Sequence, residues 1–395
     1  MELVLVILAL ISSVALALAY VSIFVHLRHS KRMQSAADRN KSLTFGISVL
    51  KPLKGVDEGL LENLRAIARQ DHPQFEVLFG AEDPNDPALE VAGQVVREFP
   101  QCELRVVGGA FETGLNPKVR VLRQLSTLAK HEWLLISDSN VRPAPGYLRA
   151  LTYQQQIHDA DLVHSMLAGA GGQTLGGRLE ELQLNGWVSA SIALSNSCGH
   201  GCVIGKSMLM RSAALSSVGG LASVADILAE DYILGAKFQS AGKKVVLSPH
   251  LLAVITARSS CAQFFNRHVR WGQMRRRIAP GIYAAELLAN PTPFFLALII
   301  LDPTWSFTWA VAQLSKWMCD AFVYARLSPS PSLRTLSLMP IKDVLMPVIW
   351  LLGGLRRTIN WRGQRLLVGV GSRLYPLADP QPLPKQDSSW LPNPS

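Results

Sequence analysis

Charge is what this 395-residue chain is short of. Only 17% of its residues are Asp, Glu, Lys or Arg, against 49% hydrophobic, and the mean hydropathy is +0.20. A water-soluble core does not absorb that much apolar sequence, so the excess points to a bilayer. Cysteine is scarce as well. The five present (Cys102, Cys198, Cys202, Cys261, Cys319) are an odd number without framework spacing, which excludes a disulfide scaffold and fits a reducing compartment. No internal repeat and no nucleic-acid module is legible. The net charge of +10 has another explanation, because the basic residues Arg28 to Arg32, Arg275 to Arg277, and Arg356 with Arg357 sit beside apolar segments, where they meet anionic headgroups. Gly199, Gly201 and Gly205 lack the spacing of a dinucleotide fingerprint. Cys198-Gly199-His200-Gly201-Cys202 lacks the fourth ligand a structural zinc ion needs, and a close-packed turn is the better reading.

Residues 3 to 25 carry no charge and at about 1.5 Å per residue reach roughly 34 Å, enough to span a hydrocarbon core of about 30 Å. A cleaved signal peptide is the competing reading, but such peptides begin with basic residues and here Glu2 precedes the run. Arg28, His29, Lys31 and Arg32 follow it instead, which places the chain from residue 28 onward in the cytoplasm with residues 1 to 27 kept as an anchor. Residues 28 to 44 read as a basic juxtamembrane linker. Beyond it, buried strands at 45–50, 75–80, 104–107 and 133–137 alternate with helical spacing at 57–70, 86–98 and 118–129. That alternation predicts an α/β domain over residues 45 to 282 with a mostly parallel sheet and helices on both faces. From residue 283 to 357 apolar runs broken by Asp302-Pro303 predict one to three membrane segments or re-entrant helices. Residues 358 to 395 read as a C-terminal tail, disordered from about 376.

Parallel sheets bind ligands outside the carboxyl ends of their strands, and acidic motifs fall there. Asp83, in Glu82-Asp83 with Asp86, follows the second strand, and Asp138, in Asp138-Ser139-Asn140, directly follows the fourth. A divalent cation on a carboxylate is the usual partner of a diphosphate leaving group, and Asp138 is the candidate ligand, with Asn140 in support. Spacing alone leaves open that Asp138 and Asp83 are turn residues. Attack by an alcohol needs a base, for which Asp231 in Ala229-Glu230-Asp231-Tyr232 is placed; equally, Glu230 and Asp231 are favoured in a helix's first turn by its dipole alone. Arg267 and Arg270 share a helical face in a stretch that continues to Trp271. Two guanidiniums suit a diphosphate and Trp suits a sugar face or a lipid interface, while an interfacial amphipathic helix accounts for the same pattern.

In this order, the motifs resemble the ceramide glucosyltransferases, family 21 of the glycosyltransferases, within the group that has the GT-A fold. The resemblance covers residues 45 to 280. It rests on Ser48-Val49-Leu50-Lys51-Pro52-Leu53-Lys54-Gly55-Val56-Asp57, Glu82-Asp83, Gly114-Leu115-Asn116-Pro117-Lys118, Asp138-Ser139, Ala229-Glu230-Asp231-Tyr232 and Arg267-His268-Val269-Arg270-Trp271. It implies inverting transfer of glucose from UDP-glucose to ceramide, giving a β-glucosyl lipid. Asp83 would bind uridine and Asp138 would hold Mg²⁺ or Mn²⁺ on the diphosphate. Lys51, Asn116 and Lys118 would complete the donor site, and Asp231 would be the general base. Glu230, Arg267, Arg270 and Trp271 would face the diphosphate and the acceptor. The catalytic domain would be cytosolic, on a bacterial inner membrane or a Golgi-type membrane. Asn140 stands where eukaryotic members of the family carry Gly, and residues 183 to 201 match them poorly, which puts the identity of the lipid in question. Another UDP-sugar, a hopanoid acceptor, a processive synthase and a non-catalytic lipid-binding scaffold are the competing readings.

Overall fold

The computed structural model describes residues 2–39, 45–361 and 364–377. The chain divides into two compact units, one of residues 1–27, 168–198 and 256–359, the other of 28–167, 199–255 and 360–395.

The second unit carries the sheet. Its strands are β1 (Ile47–Leu53), β2 (Phe75–Ala81), β3 (Glu103–Gly108), β4 (Trp133–Ser137), β5 (Val141–Arg142), β6 (Leu162–Ala170), β7 (Ser207–Arg211) and β8 (Val245–Ile255), in the order β3-β2-β1-β4-β7-β6-β8-β5. Along β3-β2-β1-β4 neighbouring strands are parallel, as the alternation of strand and helix requires. β1 and β4 are buried along their whole length, which is why they read as unbroken apolar runs rather than alternating ones. β7 then pairs antiparallel with both β4 and β6, an extension of the sheet that the strand-helix alternation did not reveal. The helix Pro117–Leu128 lies on β1 and β2, and Pro87–Glu98 lies on β2 and β3.

Two stretches differ from expectation. The N-terminal helix runs from Glu2 to Arg39, through most of the residues expected as a linker, because residues 30–39 hold no Gly or Pro and several good helix formers. Residues 40–44 lie outside the described residues. The C-terminal stretch is not a bare tail: Thr358–Trp361, Gln364–Val368 and Leu374–Pro376 form a three-stranded sheet. The tail expected from 376 lies almost wholly outside the described residues.

The first unit is helical. Cys261–Ile278 packs on Met339–Leu355 and on Leu175–Gln183 around Leu179, Phe264, Val269 and Ile349. The backbones touch where Gly272 meets Gly353; a Cβ on Gly353 would lie 2.9 Å from the Cα of Gly272, so only glycine fits the crossing. Ala9 of the N-terminal helix packs with Phe295 and Leu298. Among the described residues one helix, Glu2–His29, is long and apolar enough to cross a membrane, and Thr292–Leu301 is a shorter apolar one.

Asp86 of the first acidic motif is a brace. Its buried carboxylate caps the helix Pro87–Glu98 by accepting from the amide of Ala88 at 2.9 Å, and accepts from the amide of Gly55 at 2.8 Å. Asp86→Ala is expected to cost about 1–2 kcal/mol of stability, as thermal unfolding would read.

Candidate functional site

The register of the parallel strands sets the floor of the site. β1 and β4 pair Leu50 with Ile136, so the next residues, Lys51 and Ser137, lie side by side at the carboxyl edge. Lys51 is fully buried; its ammonium donates to Ser137 Oγ at 3.2 Å and to the carbonyl of Asp138 at 2.7 Å. Burial pushes this ammonium down to about 7. The run that begins at Ser48 therefore props up both acidic motifs: Lys51 holds the Asp138 backbone, Gly55 binds Asp86, and Asp57 accepts from the hydroxyl of Ser139.

Asp138 sits between two ammonium groups. Lys118 Nζ lies 2.8 Å from Oδ1 and Lys206 Nζ 2.8 Å from Oδ2. Burial alone would raise the Asp138 carboxyl, but the two lysines outweigh it and hold it well below the usual carboxylate range. Lys118 also reaches Glu230 Oε1 at 2.9 Å. Its own burial is outweighed by Asp138, Glu230 and Asp231, so it stays an ammonium. Asn116 positions Lys118. Its side chain caps the helix Pro117–Leu128 by accepting from the amides of Lys118 and Val119, and its amide donates to the carbonyl of Ile227 at 2.7 Å and to Glu230 at 3.3 Å. Pro117 at the first helical position fits this cap.

Asp231 occupies the first turn of the helix Glu230–Ser240. It accepts from the amide of Gly205 at 2.5 Å and from its own helix at Tyr232 N, 2.8 Å. Burial and the neighbouring Glu230 carboxylate raise its pKa to about 6, against the pull of Lys118 and the two amides. One centre thus holds one carboxylate locked in its ionised form and a second poised near neutrality, the separation expected of groups with different chemical tasks. From the far end of the chain, Ser372 completes the entry to this helix. Its carbonyl accepts from Leu228 N at 2.9 Å and its hydroxyl from Ala229 N at 3.2 Å.

The structure thus brings together Lys51, Asn116, Lys118, Asp138, Glu230 and Asp231. Asp83 lies apart from this network, exposed in the turn after β2, where its carboxylate accepts from Asn85 N at 2.9 Å. Lys206 and Gly205 are additions. Lys206 opposes Asp138 because β7 runs antiparallel to β4 with Ser207 facing Ser137; without β7, sequence reading had no reason to place a lysine 68 residues away there. Its second partner is Asn140 Oδ1 at 2.9 Å, so the Asn at this motif's third position has a local task.

Asp138 and Asn140 offer two hard oxygen donors that converge on a cation, here the ammonium of Lys206. A magnesium-like ion needs one or two carboxylates and completes its shell with phosphate oxygens and water. The donor set fits such an ion, given that Lys206 yields its place.

Arg267, Arg270 and Trp271 belong to the first unit, on the helix Cys261–Ile278. Arg267 Nη1 lies 3.2 Å from the fully buried Glu180, whose other oxygen is 3.3 Å from His268 Nε2. Trp271 meets the His268 ring edge-on at 5.1 Å between centroids. Arg270 is half-buried on the same helix. Arg267 thus neutralises an internal carboxylate.

The likeness to known proteins gives the class: this is a glycosyltransferase. The family model described as glycosyl transferase family 21 matches residues 9–374, and the chain belongs to that family. It is similar to ceramide glucosyltransferase 3 of Caenorhabditis elegans, 24% identical over 375 residues that cover 90% of this chain and 80% of that protein. It is similar to ceramide glucosyltransferase 1 of the same organism, 25% identical over 353 residues, 86% and 75% of the two chains. Among solved structures, the mannosyltransferase PcManGT from Pyrobaculum calidifontis, in complex with GDP-Man and Mn²⁺, aligns at a TM-score of 0.45 and 15% identity, covering 88% of this chain and 97% of that one.

Gly205 has no room for a side chain: a Cβ would lie 2.8 Å from both the Cβ and an oxygen of Asp231. Gly205→Ala is expected to displace Asp231, cost about 1–3 kcal/mol of stability and lower transferase turnover. Turnover equal to that of the parent protein would show that Asp231 tolerates the shift.

Proposed function

We propose that this chain transfers glucose from UDP-glucose to the primary hydroxyl of ceramide with inversion at the anomeric carbon. The observation that carries the reading is the pair of unlike carboxylates in one centre, Asp138 held ionised by two lysines and Asp231 raised to about 6. The names of the similar nematode proteins support glucose and ceramide as the substrates.

In this reading Asp231 takes the proton from the ceramide hydroxyl as its oxygen bonds to the anomeric carbon and the bond to UDP breaks. Lys118 and Lys206 turn from Asp138 towards the diphosphate, and Lys51 keeps the Asp138 backbone in place beneath them. Asp83, in its exposed turn, binds the uridine. Asp138 and Asn140 hold the Mg²⁺ or Mn²⁺, which when bound neutralises the leaving diphosphate. Glu230, paired with Lys118, steadies that ammonium at the diphosphate. The helix Glu2–His29 anchors the chain, the C-terminal apolar helices add membrane contact, and the basic residues from Arg28 onward keep the catalytic part on the cytosolic side.

Membranes containing the protein, incubated with Mg²⁺, ceramide and in turn labelled UDP-glucose, UDP-galactose, UDP-glucuronic acid and UDP-N-acetylglucosamine, test the substrates. Lipid-soluble label from UDP-glucose alone is expected; label from another donor instead would change the sugar, and chains of several sugars would end the single-transfer reading. Asp231→Asn is expected to retain UDP binding and to lose about 10²–10⁴ in turnover; unchanged turnover would remove it as the base. Because a base works only when ionised, kcat/KM of the parent protein is expected to be level above pH 6 and to fall about tenfold per pH unit below it. The stability linkage runs in the opposite sense, over the window between 3.8 and about 6. A carboxyl whose folded pKa is raised from 3.8 to about 6 disfavours the fold as pH climbs through that window and does so fully above it. Asp138→Ala is expected to weaken metal-dependent UDP binding at least about tenfold, with equal UDP affinity in the presence and absence of metal in the parent protein counting against the role.

A further inference from the structure

Two consecutive residues in the C-terminal sheet have left-handed backbone, Gly371 at φ 62° and Ser372 at φ 58°. They are the central pair of a tight turn between the antiparallel strands Gln364–Val368 and Leu374–Pro376. Arg373 N donates to the carbonyl of Val370 at 3.2 Å, and Gly369 N to that of Arg373 at 2.8 Å. Such a turn demands positive φ at both central residues and is ordinarily filled by Gly, Asn or Asp. Glycine supplies the first here. The second carries a serine side chain, and among the described residues the only other non-glycine with positive φ is Asp159, which ends the helix Tyr147–His158. Serine held in this conformation costs free energy that a second glycine would not, which points to a task for its side chain.

That task lies at the entry to the helix of Asp231. Ser372 is fully buried. Its hydroxyl accepts from the amide of Ala229 and its carbonyl from the amide of Leu228, both buried residues. Ala229 is the cap residue of the helix Glu230–Ser240 and has no side chain able to accept a bond, a poor choice for that position. Ser372 closes the adjoining backbone from outside the helix. The loop Asn116 stands in holds the same segment from its other side. Leu115 N donates to Asp226 Oδ1 at 2.9 Å, Asn116 N to the carbonyl of Ala225 at 2.8 Å and Asn116 Nδ2 to that of Ile227 at 2.7 Å. These bonds to the segment's backbone stop at Ile227. Those of Ser372 fall on the next two residues, which lead directly into Glu230 and Asp231. All of these residues belong to the unit that carries the sheet.

We infer that Ser372 is a positioning residue for the transferase: through Leu228 and Ala229 it fixes the first turn of the helix Glu230–Ser240, and with it the carboxylate of Asp231. The inference rests on the reading of Asp231 as the base. Loss of the hydroxyl leaves the amide of Ala229 buried without its partner and frees the turn that carries Asp231, while Leu115 and Asn116 keep their own hold on the segment before it.

Ser372→Ala and Ser372→Gly, made in the full chain in detergent micelles, separate positioning from folding. Both remove the hydroxyl and keep the carbonyl, but glycine also removes the cost of the left-handed backbone, so Ser372→Gly is expected to unfold at a higher temperature than Ser372→Ala. Turnover is expected not to follow stability. In both variants kcat is expected to fall at least about tenfold, with KM for the donor unchanged. A loss of kcat in Ser372→Ala that Ser372→Gly restores would make Ser372 a structural residue only and overturn the inference, as would parent-like kcat in both. Hydrogen exchange read by mass spectrometry, without substrate, reports on the same bond. Amides of residues 229 to 232 are expected to exchange faster in both variants, with those of the helix Pro117–Leu128 unchanged; equal exchange in the parent protein and the variants would overturn the inference whether or not transfer is seen. The two readings fail separately. Faster exchange in the variants of a protein that transfers no sugar would remove the proposed reaction and leave the hold of Ser372 on this helix standing, whereas transfer by the parent protein with unchanged kcat in both variants would remove the positioning role alone.

Discussion

The placement of Asp138 between Lys118 and Lys206 is the interaction on which the rest of the sheet unit depends. Three parts of the chain distant in sequence meet at that one carboxylate: the end of β4, the first turn of the helix after Asn116, and the residue before β7. Remove the carboxylate and two ammonium groups are left close together in a largely buried place, a cost that exceeds the net worth of either pair. Lys118 carries the constraint onward to Glu230, and Glu230 precedes Asp231 in the same helical turn. The position of the poised carboxylate is thus tied, through two residues, to the locked one.

Several elements were legible in the sequence because their causes are local. The strands at 75–81 and 133–137 are short apolar runs bounded by turn residues, and the helix 87–98 starts at an Asp followed by Pro. The same locality exposed Asp138 as the residue after a buried strand. What was not legible depends on pairing. β7 is five residues long, follows an irregular segment rather than a helix, and runs antiparallel to β4; no periodicity announces that. Lys206 and the contact of Gly205 with Asp231 were lost with it. Asp83 shows the opposite case: its place after a strand made it conspicuous, and the turn reading left open for it accounts for its contact with Asn85.

The helical unit taught a different lesson about charge. Read along the chain, Arg267 and Arg270 were two guanidiniums on one helical face, and Lys316, Asp320, Lys342 and Asp343 carried no reading at all. Folded, Arg267 answers Glu180 and the other four answer one another. In both places some pairs join different helices, Arg267 with Glu180, Lys316 with Asp343 and Lys342 with Asp320, which hydropathy along a single segment does not register. Such pairs add little net stability over apolar packing, but they fix which helix meets which, because any slip strands a charge.

The bonds from Ser372 to Leu228 and Ala229 set a timetable for the molecule. A ribosome makes the β-strands, Asp138 and the helix of Asp231 well before it reaches residue 372, and the chain between is mostly the helices of the other unit. The amides at the start of the helix Glu230–Ser240 wait through that interval for their partners, so the surroundings of Asp231 take their final form on the nascent chain only after residue 372 has been made. Order at this point of the sheet unit therefore follows synthesis of the helices of the other unit instead of preceding it.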